Sequence, residues 1–276
     1  TYSYDKNNNV VKKTEKNSTA KEEKDHTDQT TEYTYNALGR LTKSVVTDHK
    51  KNEEKTTTTY SYDSAGNRTK KVKGEEETAY TYNGLNQLLK AKTTKGNIVK
   101  NDISYEYDVN GNQIKETDKE TGDSVENTYD VENRLSTATV TKKESTSGDE
   151  TVSLTQENLY NGEGQRIQKK EAGEVTNYFY EDGMVSYTTG ADTGEKLIQN
   201  LSGLEDNVIY AEQKVTGKGG TETTASYQDF LYTKDIQGST SSILNKDTKG
   251  ELSYEYDDFG ETSIYGSSAL KNEICY

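Results

Sequence analysis

Proline is missing from this chain of 276 residues. At an average usage of about 5%, a chain of this length would hold roughly 14 prolines. Because proline removes a donor from the hydrogen-bond ladder of a sheet, it is excluded from central strands. Its absence therefore favours a chain built mostly of strands and hairpin turns, and it argues against proline-rich linkers between flexibly joined domains.

Cysteine and histidine are nearly absent as well. The single cysteine, Cys275, cannot form an internal disulfide, and His26 and His49 lie in charged, threonine-rich segments without ligand-type spacing. No metal site and no cofactor are therefore predicted. No apolar run approaches about 18 residues, so no membrane span is predicted. The chain starts inside a repeat at Thr1, which indicates a piece of a longer polypeptide.

Aliphatic residues are scarce and the net charge is modest. Leu, Ile, Val and Phe make up less than one fifth of the chain, below the roughly 20% at which disorder becomes the default expectation. The high net charge that accompanies disorder is missing, however, since the formal charge is only −14, and 22 tyrosines add apolar surface. With a pI of about 4.8, the chain lacks the basic patches that bind nucleic acid or anionic membranes.

What the chain does contain is a repeated motif, Tyr-x-Tyr-(Asp or Asn), followed three residues later by Gly or Asn. The second tyrosines of its copies are Tyr4, Tyr35, Tyr62, Tyr82, Tyr107 and Tyr256, with degenerate copies at Tyr129 and Tyr160. The residues predicted to build the repeat are Tyr33, Tyr35, Asn36 and Gly39; Tyr60, Tyr62, Asp63 and Gly66; Tyr80, Tyr82, Asn83 and Asn86; Tyr105, Tyr107, Asp108 and Gly111; and Tyr254, Tyr256, Asp257 and Gly260.

Each copy predicts a strand, a tight turn and a returning strand. Tyr-x-Tyr places two rings on one face of a strand, because side chains alternate with a period of two. Asp or Asn then folds its side chain onto the backbone two residues on, and Gly or Asn takes the positive φ of a hairpin loop. An aliphatic residue usually opens the returning strand, with the copy at Tyr62 as the exception. Every unit is thus a β-hairpin whose tyrosine face needs a neighbour.

Successive second tyrosines from Tyr4 to Tyr160 lie 20 to 31 residues apart, a period typical of repeat arrays. We therefore predict an all-β fold, an array of antiparallel β-hairpins joined into a long sheet. Residues 1–170 form the regular part, and residues 171–276 form a less regular continuation of the same array. The charged, threonine-rich segments that begin at Glu15, Thr47 and Lys142 are predicted to be exposed far turns of the hairpins.

The repeats resemble the tyrosine-aspartate (YD) repeats of the RHS-repeat family, which includes bacterial wall-associated and rearrangement-hotspot proteins, toxin-complex shell proteins and teneurins. The resemblance is densest from Thr1 to about Lys170. The stretches NLSGLEDNVIYAEQ from Asn200 and FLYTKDIQGSTSSILNKDTKGELSYEYDDFGET from Phe230 resemble the passage that leads into the RHS-associated core of the family.

This resemblance implies a sheet of stacked hairpins that spirals into a hollow shell, which in several family members encloses a C-terminal toxin domain. The family's core ends in a self-cleaving aspartate site within a proline-containing motif that this chain lacks. No autoproteolytic residue is therefore carried over, and any shell is expected to be incomplete. The expected partner is a C-terminal effector domain of the parent chain, and the expected location is secreted, or on the surface or wall of a bacterial cell.

Two other candidate sites have a simpler structural interpretation. The sequence DVNGN at Asp108 resembles the start of a calcium loop, but the twelfth position holds Lys119 in place of glutamate, so a hairpin turn is favoured. The adjacent acids Glu53 and Glu54 lack an apolar setting that would separate their pKa values for acid–base catalysis. No catalytic residue is therefore predicted.

The tyrosines leave one alternative function open. Rows of exposed rings beside Asn, Asp and Thr could stack on sugars, whereas rings that pack from hairpin to hairpin would form an internal ladder. The regular spacing favours packing, because a binding site needs only a few rings. The predicted function is a non-enzymatic scaffold, a segment of a secreted or cell-surface shell that encloses or presents a C-terminal toxin or effector. The alternative is a carbohydrate-binding or adhesion module that binds cell-surface glycans through exposed tyrosines.

Overall fold

The chain is all-β in the computed structural model, which describes residues 1–18, 22–143, 151–191, 194–203, 208–219, 222–266 and 270. Two short 3₁₀ helices, Glu23–Asp25 and His49–Lys51, lie between strands. The strands are β1 (Tyr2–Tyr4), β2 (Val10–Asn17), β3 (Thr27–Tyr35), β4 (Leu41–Asp48), β5 (Glu54–Tyr62), β6 (Arg68–Lys73), β7 (Glu76–Tyr82), β8 (Leu88–Lys95), β9 (Ile98–Tyr107), β10 (Gln113–Asp118), β11 (Ser124–Tyr129), β12 (Leu135–Lys143), β13 (Thr151–Tyr160), β14 (Arg166–Glu171), β15 (Glu174–Glu181), β16 (Met184–Thr189), β17 (Lys196–Ser202), β18 (Val208–Gly219), β19 (Glu222–Lys234), β20 (Thr240–Asn245), β21 (Gly250–Tyr256) and β22 (Thr262–Gly266).

Strands that follow each other in the sequence pair antiparallel. This pairing runs from β3 through β14 and again from β15 through β22, and the strands of the described residues belong to one open sheet. The predicted all-β array of antiparallel hairpins is confirmed.

A β-bulge lies beside the second tyrosine of most motif copies. In the hairpin of β5 and β6, Ser61 pairs with Lys70 but Tyr62 pairs with Arg68, so Thr69 is an extra residue on the returning strand. The same shift occurs at Tyr4, Tyr35, Tyr82, Tyr107, Tyr129 and Tyr160. A bulge increases the local twist and redirects the side chains that follow it, so every motif copy bends its hairpin at an equivalent place.

The bulge corrects one detail of the sequence interpretation. Leu41 and Leu88 do open their returning strands, but a polar residue opens others, namely Arg68, Gln113 and Arg166. In two of these copies the aliphatic residue, Ile114 or Ile167, is the extra residue of the bulge. Aligning the copies on their tyrosines had therefore merged two structurally different positions.

The threonine-rich segments form more strand than expected. The segment from Thr47 does contain a turn at His49–Lys51, but Thr56–Thr59 belong to β5. β-branched threonine fits a pleated strand well, which explains why charge and threonine alone did not mark the loop. Residues 144–150, within the predicted turn after Lys142, lie outside the described residues.

The structure groups the residues into two compact units. The first contains Thr1–Glu15 and Gln29–Gly173. Most of its buried side chains are small or polar, such as Thr31, Ser44 and Thr58, and its buried apolar residues include Tyr60 and Ala91. The backbone ladder and side-chain hydrogen bonds therefore carry much of the order in this unit. The sequence-based division at residue 170 stays a prediction.

The second unit contains Lys16–Asp28 and Glu174–Tyr276, and it has an apolar core. The core residues are Val208, Ala211, Phe230, Tyr232, Ile243, Leu252 and Tyr254. Within this unit the Lys16–Asp28 segment is tied to distant strands, because Asn17 Nδ2 donates to Ser242 Oγ at 2.9 Å and the Thr27 hydroxyl donates to the Glu255 carboxylate. A segment from the start of the chain thus completes a core built largely from its end.

Candidate functional site: the tyrosine ladder and the turn edge

The second tyrosine of each motif copy reaches back to the preceding hairpin of the motif series. Its hydroxyl donates a hydrogen bond of 2.6 to 3.0 Å to the backbone carbonyl of the first residue in an earlier returning strand. The pairs are Tyr35 with Val10, Tyr62 with Leu41, Tyr82 with Arg68, Tyr107 with Leu88, Tyr129 with Gln113, Tyr160 with Leu135, and Tyr256 with Thr240. We call this series the tyrosine ladder. It joins hairpins through side chains in addition to the sheet hydrogen bonds.

Asparagine replaces the first tyrosine in the two degenerate copies, and it serves the same carbonyl. Asn127 Nδ2 donates to the Gln113 carbonyl at 3.0 Å, and Asn158 Nδ2 donates to the Leu135 carbonyl at 3.2 Å. In each case the tyrosine two residues later donates to that oxygen as well. A carbonyl oxygen has two lone pairs, so the copies that look degenerate in sequence make a doubled contact.

The Asp or Asn after the tyrosines forms an Asx turn. Asp108 Oδ1 accepts the backbone N–H groups of Asn110 at 2.9 Å and Asn112 at 2.8 Å, and Asp108 Oδ2 accepts the Asn112 amide at 2.9 Å. Gly111 has φ of 89° and donates its N–H to the Asp108 carbonyl, as a turn followed by a left-handed residue requires. The carboxylate proposed as the start of a calcium loop therefore faces its own turn.

Hydrogen bonds to these carboxylates lower their pKa values. The side-chain amide of Asn112 is the largest cause at Asp108, with further N–H donors opposing the effect of burial. The Asn67 amide does the same at Asp63. Donors stabilise the charged carboxylate over the neutral acid, so these turns are built for ionised aspartate.

The residue four positions after the Asp or Asn matches it in hydrogen-bonding character. Where the turn begins with aspartate, an amide or guanidinium donor faces it, as in the pairs Asp5 with Asn9, Asp63 with Asn67, Asp108 with Asn112, and Asp130 with Arg134. Where it begins with asparagine, glutamine accepts from the Asn amide, as in Asn83 with Gln87 and Asn161 with Gln165. This pairing was not noticed in the sequence, although it is readable there once the turn geometry is known.

Neighbouring turns also contact one another along one edge of the first unit. Asn67 Nδ2 donates to Asn86 Oδ1, and Asn112 Nδ2 donates to Asn133 Oδ1, each at 2.9 Å. We call the turns at 36–40, 63–67, 83–87, 108–112, 130–134 and 161–165 the turn edge. Each turn is thus fixed by its own backbone and by the turn beside it.

Arginine reinforces the turn edge at two places. The Arg40 guanidinium donates to the Asp63 carbonyl at 3.2 Å, and its central carbon lies 5.0 Å from the centre of the Tyr62 ring. Arg134 repeats the arrangement on the Asn161 carbonyl, at 3.1 Å, and on the ring of the preceding tyrosine, at 5.0 Å. A guanidinium over a ring face is a favourable cation–π geometry, so the tyrosine face holds charged groups without an apolar core.

Two further turns of this kind lie in the second unit and carry no Tyr-x-Tyr signature. Asp235 Oδ1 accepts the N–H groups of Gln237 and Ser239, and Asn245 Oδ1 accepts those of Asp247 and Lys249. Both follow strands that lack the second tyrosine. The Asp or Asn followed after three residues by glycine or by a residue of positive φ was the signal that could have found the first of them.

The motif tyrosines are half-buried or buried in the five copies named above. Burial, with Glu116 nearby as a smaller cause, raises the pKa of Tyr105 to about 12. In the second unit, a hydrogen bond to the Asp229 carboxylate raises the pKa of Tyr210 to about 12. These hydroxyls stay protonated at neutral pH and act as hydrogen-bond donors.

The remaining titratable candidates do not assemble into a site. His49 Nδ1 lies 2.8 Å from Glu53 Oε1 in an exposed turn, and Cys275 lies outside the described residues. Among the residues with assigned positions, no three His, Cys, Asp or Glu side chains converge into a group that could hold a metal ion. Helices in the described ranges are all too short and polar to cross a membrane.

Comparison with known proteins follows this geometry. The chain is 27% identical over 193 residues to the tRNA3(Ser)-specific nuclease WapA of Bacillus spizizenii, a match that covers 70% of this chain and 7% of that protein. The crystal structure of TcdB2-TccC3 without its hypervariable C-terminal region has a TM-score of 0.50 and 13% identity, and the match covers 100% of this chain and 19% of that one. The resemblance to the RHS/YD-repeat family is confirmed.

A second solved structure, the Photorhabdus luminescens Tc holotoxin pore, gives a TM-score of 0.48 at 14% identity, covering 96% of this chain and 18% of that chain. No family model matches the sequence. At such low identity, the likeness to TcdB2-TccC3 shows the fold alone. The YD-repeat array spans only 7% of the nuclease and 19% of TcdB2-TccC3, so it corresponds to a small part of each of those proteins.

Proposed function

We propose that this chain is a non-enzymatic scaffold, a segment of a secreted or cell-surface bacterial RHS/YD shell that encloses or presents a C-terminal toxin or effector domain. The observation that carries the proposal is the inward use of the motif's polar groups. Tyrosine hydroxyls bond to the backbone of the preceding motif hairpin, and turn carboxylates bond to their own loops. Groups committed to such contacts build a wall and are not available as catalysts.

The names of the matched proteins support the toxin-associated part of the proposal. One is a tRNA-specific nuclease and the other contains a hypervariable C-terminal region. A hypervariable C-terminal region beside a scaffold of constant architecture is the arrangement expected when one container serves different effectors. The expected partner is therefore a C-terminal effector domain of the parent chain.

Burial of the motif rings disfavours the glycan-binding alternative. A sugar platform needs ring faces open to solvent, whereas Tyr60 and Tyr254 are buried and Tyr62 is covered by the Arg40 guanidinium. A glycan array probed with this chain is expected to give no specific binding. Saturable binding that is lost when an exposed tyrosine such as Tyr227 is replaced by alanine would revive the adhesion role.

The enclosing role is testable by limited proteolysis of the parent protein. We expect the C-terminal effector to be cleaved at least about tenfold more slowly within the parent than as an isolated domain, because a closed wall blocks access. Combining Tyr62→Ala, Tyr82→Ala and Tyr107→Ala should weaken consecutive rungs of the tyrosine ladder and restore cleavage. Equal cleavage rates in the intact parent and the isolated domain would contradict enclosure, and would leave presentation of the effector as the scaffold's role.

A further inference from the structure

The turn edge exposes a row of apolar side chains at its tips. The exposed fractions are 76% for Leu38, 78% for Leu85, 102% for Val109 and 100% for Val131. The exposed Ala65 lies between the first two in the order of the turns. Because each tip residue sits in a turn fixed by hydrogen bonds, the row is a rigid feature of the first unit.

The row also lacks charge where the rest of the chain is rich in it. The two tip residues of each turn from Asn36 to Asp108 are Ala and Leu, Ser and Ala, Gly and Leu, and Val and Asn. The loops at the other ends of these strands read DHKKNE from Asp48, KGEE from Lys73 and DKETGD from Asp118. One edge is therefore uncharged and apolar, and the other is densely charged, although 30% of all residues are charged.

We propose that the turn edge is a self-association surface, and that its occupant is the turn edge of a second copy of this chain. Consecutive tips are separated by two strands, or about 9.6 Å, which leaves gaps wide enough for an apolar side chain. A second copy presents projections and gaps at the same spacing, so the two rows interdigitate. An uncharged row offers nothing to a charged partner, whereas like rows pair without burying an unmatched charge.

A two-fold axis beside Leu85 gives the best size match. It brings the two Leu85 side chains together, places Val109 of each copy against the small Ala65 of the other, and places Val131 against Leu38. Such an isologous pairing repeats every contact twice. Four Leu and Val side chains offer on the order of 400 Å² per copy, so the interface falls in the small, weak class below about 1,200 Å² in total.

Sedimentation equilibrium of the chain in reducing buffer tests the proposal. We expect a monomer–dimer equilibrium with Kd of roughly 10 µM to 1 mM, as suits an interface of this size. The double variant Leu85→Lys with Val109→Lys should raise Kd by at least about tenfold, because it places like charges opposite each other. The matched control is Ile98→Lys, since Ile98 is also exposed, at 63%, but lies at the opposite end of its hairpin.

Two outcomes would overturn the proposal. One is a chain that stays monomeric up to about 1 mM, and the other is an equal loss of association in the double variant and in Ile98→Lys. Oxidative cross-linking then tests the axis: in a Cys275→Ser background, Leu85→Cys should cross-link faster than Leu38→Cys. The reverse order would exclude the axis beside Leu85.

Discussion

Replacing Tyr107 by phenylalanine removes one rung of the tyrosine ladder and nothing else. The ring remains, while the 2.9 Å hydrogen bond from the hydroxyl to the Leu88 carbonyl is lost. A neutral hydrogen bond contributes about 0.5 to 1.5 kcal/mol. We take about 1 kcal/mol, because the tyrosine is only half-buried and water can partly replace the donor.

The chain provides a matched control at Tyr129. Its hydroxyl donates to the Gln113 carbonyl, but that oxygen also accepts from Asn127 at 3.0 Å. Tyr129→Phe leaves the acceptor with a partner, so its cost should fall below about 0.5 kcal/mol. In the Asn127→Ala background, the same substitution should cost about as much as Tyr107→Phe.

Amide hydrogen exchange is the appropriate assay, because a repeat array need not unfold in a single step. An energy of 1 kcal/mol corresponds to a change of about fivefold in the local opening equilibrium. Tyr107→Phe should therefore speed exchange about fivefold in β8 and β9, whereas Tyr129→Phe should change exchange in β10 and β11 by less than about twofold. Equal effects at the two positions, or no effect at Tyr107, would refute the view that the rungs link hairpins energetically.

Three further outcomes follow from the turns and the buried rings. Gly111→Val should destabilise its hairpin by about 1 to 3 kcal/mol, because φ is 89° there, whereas Gly84→Val in a neighbouring turn should melt like the wild type. Asn67→Ala should lower the melting temperature at about pH 6 but converge on the wild type at about pH 2, since the lowered pKa of the carboxylate it supports stabilises the fold above pH 3.8 and is lost as the pH falls. Tyr105 has its pKa raised to about 12, so its contribution is complete below about pH 10 and lost as the pH rises to about 12; Tyr105→Phe should melt with less alkaline sensitivity across that window.

The sequence predicted the hairpins because their determinants are local. Tyr-x-Tyr followed by Asp108 and Gly111 defines a strand and a turn within seven residues, and local patterns of this kind are readable from one chain. The acceptors of the tyrosine hydroxyls were not predictable in the same way. A backbone carbonyl has no residue signature, and the residues that supply it include Leu88 and Arg68.

Long-range contacts escaped the sequence for a related reason. The hydrogen bond from Asn17 to Ser242 joins residues 225 positions apart, and no periodic pattern encodes that pairing. The Asx turns at Asp235 and Asn245 were missed because the search began from tyrosines that these copies lack. Starting from the turn, with its Asp or Asn and its left-handed residue, would have recovered the glycine-containing turn at Asp235.

The choice of a backbone oxygen as acceptor has an evolutionary consequence. Each hairpin recognises its predecessor through a group that every residue possesses, so the predecessor's side chain at that position is free to change. A duplicated or deleted hairpin therefore meets a compatible neighbour at once, without a compensating substitution. Spacings that range from 20 to 31 residues between copies are what such unconstrained insertion and loss would produce, and they make the length of the array an easily varied trait.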